Sequence, residues 1–303
     1  MVTAREDPQA RTWLLAVDGS AGADYAAQYV AGVAKRLGVR EIRVIHVRAH
    51  TGEPDAAQTP EAGDRGGGTA APGPADNACR MLTAAGLDVR RDSPRGSEPA
   101  ALIARAGRRG EIDEIVMGTR GVSALKNLAL GSVAYKVLHL ARVPVTLIPT
   151  ADAAASRRPS ARTPLRVLLA ADGSRASLHA VEYVCGLAAV CALDVHLLNV
   201  QPRIVSGNVR SFFSRAQIEE FHRDEGMAAL RATIRQFESA GVKHRVEIRT
   251  GPMAETIVDA AHDHGCDRIV MGSRGLAAAG SLLLGSVTYG VVHRTDLPVT
   301  SVK

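Results

Sequence analysis

Two stretches of the chain share the pattern Gly-x2-Gly-x9-Gly-Ser: Gly118, Gly121, Gly131 and Ser132, then Gly272, Gly275, Gly285 and Ser286. Glycines let backbone N–H groups approach an anion with no Cβ in the way. If Gly131 and Gly285 open helices, the free N–H groups and positive dipole end of each helix favour the same anion, and the hydroxyls of Ser132 and Ser286 add donors. That chemistry is phosphate binding. Two further motifs, Asp18-Gly-Ser20 and Asp172-Gly-Ser174, each close a short apolar run. A carboxylate repels phosphate, so Asp18 and Asp172 belong at the other end of such a ligand, accepting from ribose hydroxyls or an adenine amine. Plainer readings stay open: glycines that only shape a turn, Ser132 and Ser286 as mere caps, and an Asp-Gly-Ser turn that only caps the next helix.

The motifs recur because the chain repeats itself. Trp13-Leu-Leu-Ala-Val-Asp18 returns as Val167-Leu-Leu-Ala-Ala-Asp172, Met117-Gly-Thr-Arg-Gly121 as Met271-Gly-Ser-Arg-Gly275, and Leu130-Gly-Ser-Val133 as Leu284-Gly-Ser-Val287. Val143-Pro-Val-Thr146 returns as Leu297-Pro-Val-Thr300, and the offset is 154 in every case. Val44-Ile-His-Val47 matches Leu197-Leu-Asn-Val200 one residue out of register, which puts compensating length changes in the loops. The 303 residues therefore divide into a tail at 1–10, a unit at 11–150, a linker at 151–163 and a second unit at 164–303. The linker is rich in Ala, Ser, Arg and Pro and has no apolar periodicity. Ala49 to Pro74, with Gly66-Gly67-Gly68 inside it, reads as a mobile surface loop. Its counterpart, Gln201 to Gly226, holds Phe212, Phe213, Ile218 and Phe221 and is expected to fold partly into helix and cover something.

The apolar runs Trp13 to Val17 and Val167 to Ala171 have the pattern of central parallel strands. Helical stripes follow at Ala26, Val30, Val33 and Leu37, and at Leu178, Val181, Cys185 and Ala188. Further strands are expected at Ile42 to Val47, Val89 to Arg91, Ile115 to Met117 and Val145 to Ile148, with helices near Ala75 to Ala85, Pro99 to Arg108 and Ser132 to Ala141. Such alternation means an α/β fold, a parallel sheet covered on both faces, whose ligands sit beyond the carboxyl ends of the strands. Pro144 and Pro298 fit last strands at sheet edges, and two such edges are able to meet.

Composition narrows the function. A 46% hydrophobic and 22% charged chain without a membrane-length apolar run, and without an apolar core in residues 1–10, is expected to be a cytoplasmic protein with no membrane partner. Cys79, Cys185, Cys191 and Cys266 show no framework spacing and are expected to be reduced. The net charge of +6 comes from scattered arginines, and 3% aromatics leave little for base stacking, so no nucleic acid partner is expected. No Gly-x4-Gly-Lys-Ser/Thr loop occurs and neither glycine loop contains a carboxylate, which argues for binding with slow or no hydrolysis. The His262-Asp-His264-Gly-Cys266 run reads as a solvated helix end instead of a metal site, and His46, His139 and His293 as packed side chains. Ser20 and Ser174 have no histidine placed by the repeat to activate them as nucleophiles.

The Asp-Gly-Ser turn, the Met-Gly-Ser/Thr-Arg-Gly turn, the glycine motif and the closing Pro-Val-Thr strand together resemble the universal stress protein family, here as a tandem of two UspA-type domains. The resemblance implies two doubly wound, five-stranded parallel sheets of the adenine nucleotide α-hydrolase-like type, strand order 3-2-1-4-5, and ATP as the ligand. It implies that Asp18 and the backbone of Val17 and Val47 hold adenine and ribose, with Gly118, Gly121, Gly131, Ser132 and Val133 on the phosphates. The matching set is Asp172, Ala171, Val200, Gly272, Gly275, Gly285, Ser286 and Val287. Mg²⁺, if it accompanies ATP, would be held mainly by phosphate oxygens and water. The family also implies pairing of Val145 to Ile148 with Val299 to Val302, and leaves a homodimer of the tandem chain open. Lys126 stands in the first glycine loop where the second has Gly280, while Arg120 and Arg274 are shared. The expected function is a nucleotide-dependent stress or signalling module. Its alternatives are a partner-binding relative without nucleotide, a weak ATPase or ATP pyrophosphatase of the wider group, and, last, a flavin site.

Overall fold

The computed structural model of the chain describes residues 11–48, 73–107, 110–121, 130–149, 163–203, 213–275 and 285–303. Its first strand, β1 (Arg11–Ala16), is apolar from Trp13 onward and buried on both faces, as a central parallel strand must be. Helix α1 (Ala21–Val33) follows, capped by the Ser20 hydroxyl, which accepts from the Ala23 N–H. The unit continues through β2 (Val39–Ile45), α2 (Asp76–Ala84), β3 (Asp88–Asp92), α3 (Pro99–Gly107), β4 (Glu114–Gly118), α4 (Ser132–Leu140) and β5 (Val145–Ile148). The second unit begins with β6 (Leu165–Ala170), α5 (Arg175–Ala188), β7 (Leu193–Gln201) and α6 (Arg215–Ser239). It ends with β8 (His244–Thr250), α7 (Met253–Asp263), β9 (Arg268–Gly272), α8 (Ser286–Arg294) and β10 (Val299–Val302).

Each unit is a parallel sheet in the order 3-2-1-4-5, and the two sheets fuse into one of ten strands, β3-β2-β1-β4-β5-β10-β9-β6-β7-β8. The join is antiparallel: Val299 lies opposite Leu147, Thr300 opposite Thr146 and Ser301 opposite Val145. Thr146 and Thr300 occupy the same position of the repeat, so a pseudo-twofold axis passes between them. Neither last strand is an edge. Pro144 and Pro298 fit because they stand just before the ladder, where their carbonyls accept from Ile115 and Ile269, each at 2.9 Å. Alternating residues feed two cores on opposite faces of the sheet. Trp13, Leu15, Val167 and Leu169 pack under α1, α2, α5 and α6, while Leu14 and Leu168 pack under α3, α4, α7 and α8. Among the described residues, no helix is long and apolar enough to cross a membrane.

Three local expectations shift. Leu37 is buried, but in a 3-10 turn (Lys35–Leu37) after α1 has ended. The α5 stripe lies on Ser177, Ala180, Val181, Val184 and Leu187, with Leu178, Cys185 and Ala188 only half buried. The reason is close approach. A Cβ on Gly272 would meet Ser177 N at 2.8 Å, so the helix reaches β9 through its small residues, a face that a search for large apolar side chains misses. The Gln201 to Gly226 segment does fold partly into helix, with a Ser214–Gln217 capping box at the start of α6, and it covers the second cavity through Gln201, Pro202 and Glu225, while Phe213 and Phe221 are 53% exposed. The helix is anchored instead by Leu230 and Phe237. Phe212, and the mobile loop expected between Ala49 and Pro74 up to residue 72, lie outside the described residues.

Candidate functional site

The strand order reverses between β1 and β4, and again between β6 and β9, leaving a crevice beyond the carboxyl ends of each pair. The crevice of unit one is a cavity of about 310 Å³ and that of unit two about 450 Å³. Val17, Asp18 and Val47 line one end of the first, and Gly118, Gly121, Gly131, Ser132 and Val133 the other. In unit two, Ala171, Asp172 and Val200 stand opposite Gly272, Gly275, Gly285, Ser286 and Val287 in the same arrangement. Residues spread over more than a hundred positions of each repeat are thus brought to one place.

At the glycine end, two kinds of glycine can be told apart. A Cβ on Gly118 would sit 2.9 Å from Gly22 O, and one on Gly272 would sit 2.7 Å from the Ala176 carbonyl carbon, so packing of the first helix on the fourth strand requires glycine there. At Gly131 the nearest atom to an added Cβ is Thr119 O at 3.5 Å, an ordinary contact, and φ is −71°. Packing does not require a glycine at this position, which lines the cavity. Helices α4 and α8 start at Gly131 and Gly285 with no side-chain cap among the described residues, whereas α1 and α5, which leave the same rim, are capped by Ser20 and Ser174. The uncapped pair opens into the cavities through Ser132, Val133 and Ala134, and through Ser286, Val287 and Thr288. First-turn N–H groups without an acceptor are what an anion satisfies.

At the other end, Asp18 Oδ1 accepts from Ser20 N–H at 3.0 Å, and Asp172 Oδ1 from Ser174 N–H at 3.0 Å. Capping therefore falls to the serines, and the turn fixes one oxygen of each carboxylate. Its Oδ2 lies only 2.2 Å (Asp18) or 2.6 Å (Asp172) from where a Cβ on Gly121 or Gly275 would stand, so those glycines give the carboxylates their space. The Val17 peptide is engaged: its N–H donates to Ile45 O at 3.0 Å and its carbonyl lies 3.0 Å from His46 Nδ1. In unit two, Ala171 N–H donates to Leu198 O at 2.9 Å, and Asn199 Nδ2 donates to Ala171 O at 2.8 Å. The N–H groups of His46 and Arg48 donate to Asp92 O and Pro94 O on the β3 side. Alternation then turns the N–H and C=O of Val47 the opposite way, into the crevice.

His46 and Asn199 were absent from the expected sites, although each is a polar residue in an apolar strand at matching positions of the repeat. Glu225 and Ala229 of α6 also line the second cavity, and no motif marks them because they lie in the N-terminal part of α6, whereas its counterpart α2 begins only at Asp76. Arg120 and Arg274 both reach the cavities, and Arg120 Nε is buried without a hydrogen-bond partner among the described residues. Lys126 and Gly280 lie outside the described residues. His139 is half buried, His46 lines a cavity, and His293 is exposed beside Tyr289 instead of packed, because α8 turns that face outward. His262 pairs with Asp296 at 2.7 Å, His264 with Glu247 at 2.7 Å, and Cys266 is buried, so the three diverge.

Comparison with known proteins gives consistent matches. A family model described as the universal stress protein family matches residues 10–149 and 165–303. A universal stress protein of Methanocaldococcus jannaschii is 30% identical over 138 residues, covering 46% of this chain and 81% of the relative. One from a Synechocystis species is 25% identical over 193 residues, 63% of this chain but only 58% of that protein's length. The crystal structure of a universal stress protein from Archaeoglobus fulgidus aligns over 96% of both chains with a TM-score of 0.63 and 26% identity.

Proposed function

From the premise that the chain belongs to the universal stress protein family, we propose that it is a nucleotide-dependent module of stress signalling that binds ATP in both units. The observation that carries this reading is the pair of uncapped helix starts at Gly131 and Gly285, each opening into a glycine-lined cavity with a carboxylate at its far end. The α4 and α8 N-termini, with Ser132 and Ser286, take the phosphates; Asp18 and Asp172 accept from the ribose or adenine; Val47 and Val200 offer backbone donors and acceptors to the base. The Val17 and Ala171 peptides, already bonded, serve mainly as walls beside the base. Mg²⁺, when bound with the nucleotide, supplies charge neutralisation through phosphate oxygens and water.

Residues 118–132 and 272–286 contain no Asp, Glu or His to activate water, so bound ATP is expected to persist. Titration calorimetry of nucleotide-free protein with Mg-ATP, followed by analysis of the nucleotide, tests the reading. Two filled sites with ATP intact are expected. No heat of binding would overturn it in favour of a partner-binding protein without nucleotide, and rapid turnover would require a catalytic group outside both glycine loops.

A further inference from the structure

The join between the units carries opposite charges at equivalent positions. Glu114 at the start of β4 and Arg268 at the start of β9 are 154 residues apart, the repeat offset, and meet across the pseudo-twofold axis with Arg268 Nη2 3.3 Å from Glu114 Oε1. Both residues are 0% exposed. Two more equivalent residues, Thr146 and Thr300, complete the cluster with hydroxyls 2.8 Å apart. Arg268 Nη2 donates to Thr146 Oγ1 at 2.9 Å and also to Thr300 Oγ1, and the Thr146 hydroxyl donates to Glu114. Tyr183 donates to Glu114 Oε2 at 2.6 Å, and the Arg268 guanidinium lies 5.8 Å from its ring centre.

We propose that the Glu114–Arg268 pair is a pairing key: it admits the union of unit one with unit two, from the same chain or from a second copy, and refuses the union of like units. The threonine pair is self-complementary and would permit every combination, so discrimination rests on positions 114 and 268. Two first units joined through β5 would bring two Glu114 carboxylates together in a dry interface. Two second units joined through β10 would bring two guanidinium groups together, with no carboxylate for either. Two carboxylates at that range must take up a proton to remain together, and two guanidinium groups, which do not deprotonate, stay charged and repel in a dry interface. The pair is also poor value as a pure stabiliser, because Nε and Nη1 of Arg268 find no acceptor among the described residues. An apolar join would be at least as strong but would not distinguish partners.

The test uses the full chain in three forms: Glu114→Arg, which has arginine in both units; Arg268→Glu, which has glutamate in both; and the double exchange E114R/R268E. Each single variant is expected to melt on the order of 10 °C below the parent. Co-expressed with different tags, the two singles are expected to copurify at 1:1 as a two-chain assembly, by light scattering, that recovers the parental melting temperature. Only joins between the two chains pair opposite charges, since every join within one single variant pairs like charges. The double exchange is expected to recover without a partner. Copurification of the two singles no greater than that of the parent with itself would overturn the proposal, as would singles that melt like the parent. Failure of the double exchange to rise above the worse single would overturn it too.

Discussion

The cavities of the two units agree at one end and differ at the other. Around the glycines and aspartates they correspond residue for residue, down to a Ser20 or Ser174 N–H fixing one carboxylate oxygen at 3.0 Å in each. Along the other walls they part: unit two has Asn199 and Met253 where unit one has His46 and Pro99, and adds Gln201 and the α6 residues Glu225 and Ala229, while Ile103 and Ile257 are shared. Even the turn glycines face different neighbours. A Cβ on Gly19 would meet Pro74 at 3.1 Å, and one on Gly173 would meet Ala229 O at 2.9 Å. Charge-assisted hydrogen bonds tolerate displacements of only a few tenths of an ångström, whereas a wall need only exclude water, so divergence collects in the walls.

That comparison breaks most clearly at the phosphate end. Gly131→Asp is expected to reduce two calorimetric sites to one, Gly285→Asp to do the same, and the two together to leave none, because each puts a carboxylate against phosphate. Retention of two sites in either single variant would remove the cavity from the role given to it. Next in size, Asp18→Asn and Asp172→Asn should each weaken ATP about 10- to 100-fold at their own site, the worth of a hydrogen bond to a charged group. Binding of inorganic tripolyphosphate, measured in parallel, should hardly change.

Alanine at the helix starts sharpens the contrast further. At Gly131 an added Cβ makes an ordinary 3.5 Å contact, whereas at Gly285 it meets Ser273 O at 3.0 Å. Gly131→Ala should melt within about 1 °C of the parent, and Gly285→Ala should lose about 1 kcal/mol, seen as a fall of roughly 2–4 °C. A weakened nucleotide affinity in Gly131→Ala, with stability intact, would assign that glycine to the ligand.

The smallest effect is one of pH. His196 of unit two is buried and stacked 4.2 Å from His264; the matching residue in unit one is Arg43. Burial, then the neighbouring His264, holds its pKa below the usual 6.5, against the opposing pull of Asp194. A base with a lowered native pKa binds fewer protons folded than unfolded. Its contribution is therefore complete above about pH 6.5 and is lost as pH falls through the native pKa. Unit two should soften first between pH 7 and 5, followed by hydrogen exchange of β7, and His196→Gln should flatten that dependence.

Much of this was legible in the residues. The repeat and the alternation of strand and helix could be read because each rests on local pattern, apolar runs and glycine spacing, whereas Val17, Val47 and Val133 were expected at a site only through the family resemblance. What could not be read depends on distance through space. The α5 face is set by how closely Ser177 approaches Gly272. Glu225 reaches its cavity by the course of a 25-residue helix with little apolar periodicity. The opposition of Glu114 and Arg268 becomes meaningful only when the two strands that bring them together are paired.

Fusing two sheets into one also has a consequence for the protein among its neighbours. Two separate five-stranded sheets would expose four flanks to stray pairing; the fused sheet leaves two, β3 and β8. Those flanks carry Asp88, Arg90, Arg91 and Asp92 on one side and Arg245, Glu247 and Arg249 on the other, charges that a foreign strand would have to bury to add itself. The antiparallel join thus acts as protection against aggregation, closing two strands, Val145–Ile148 and Val299–Val302, that carry no charge of their own to deter a foreign strand.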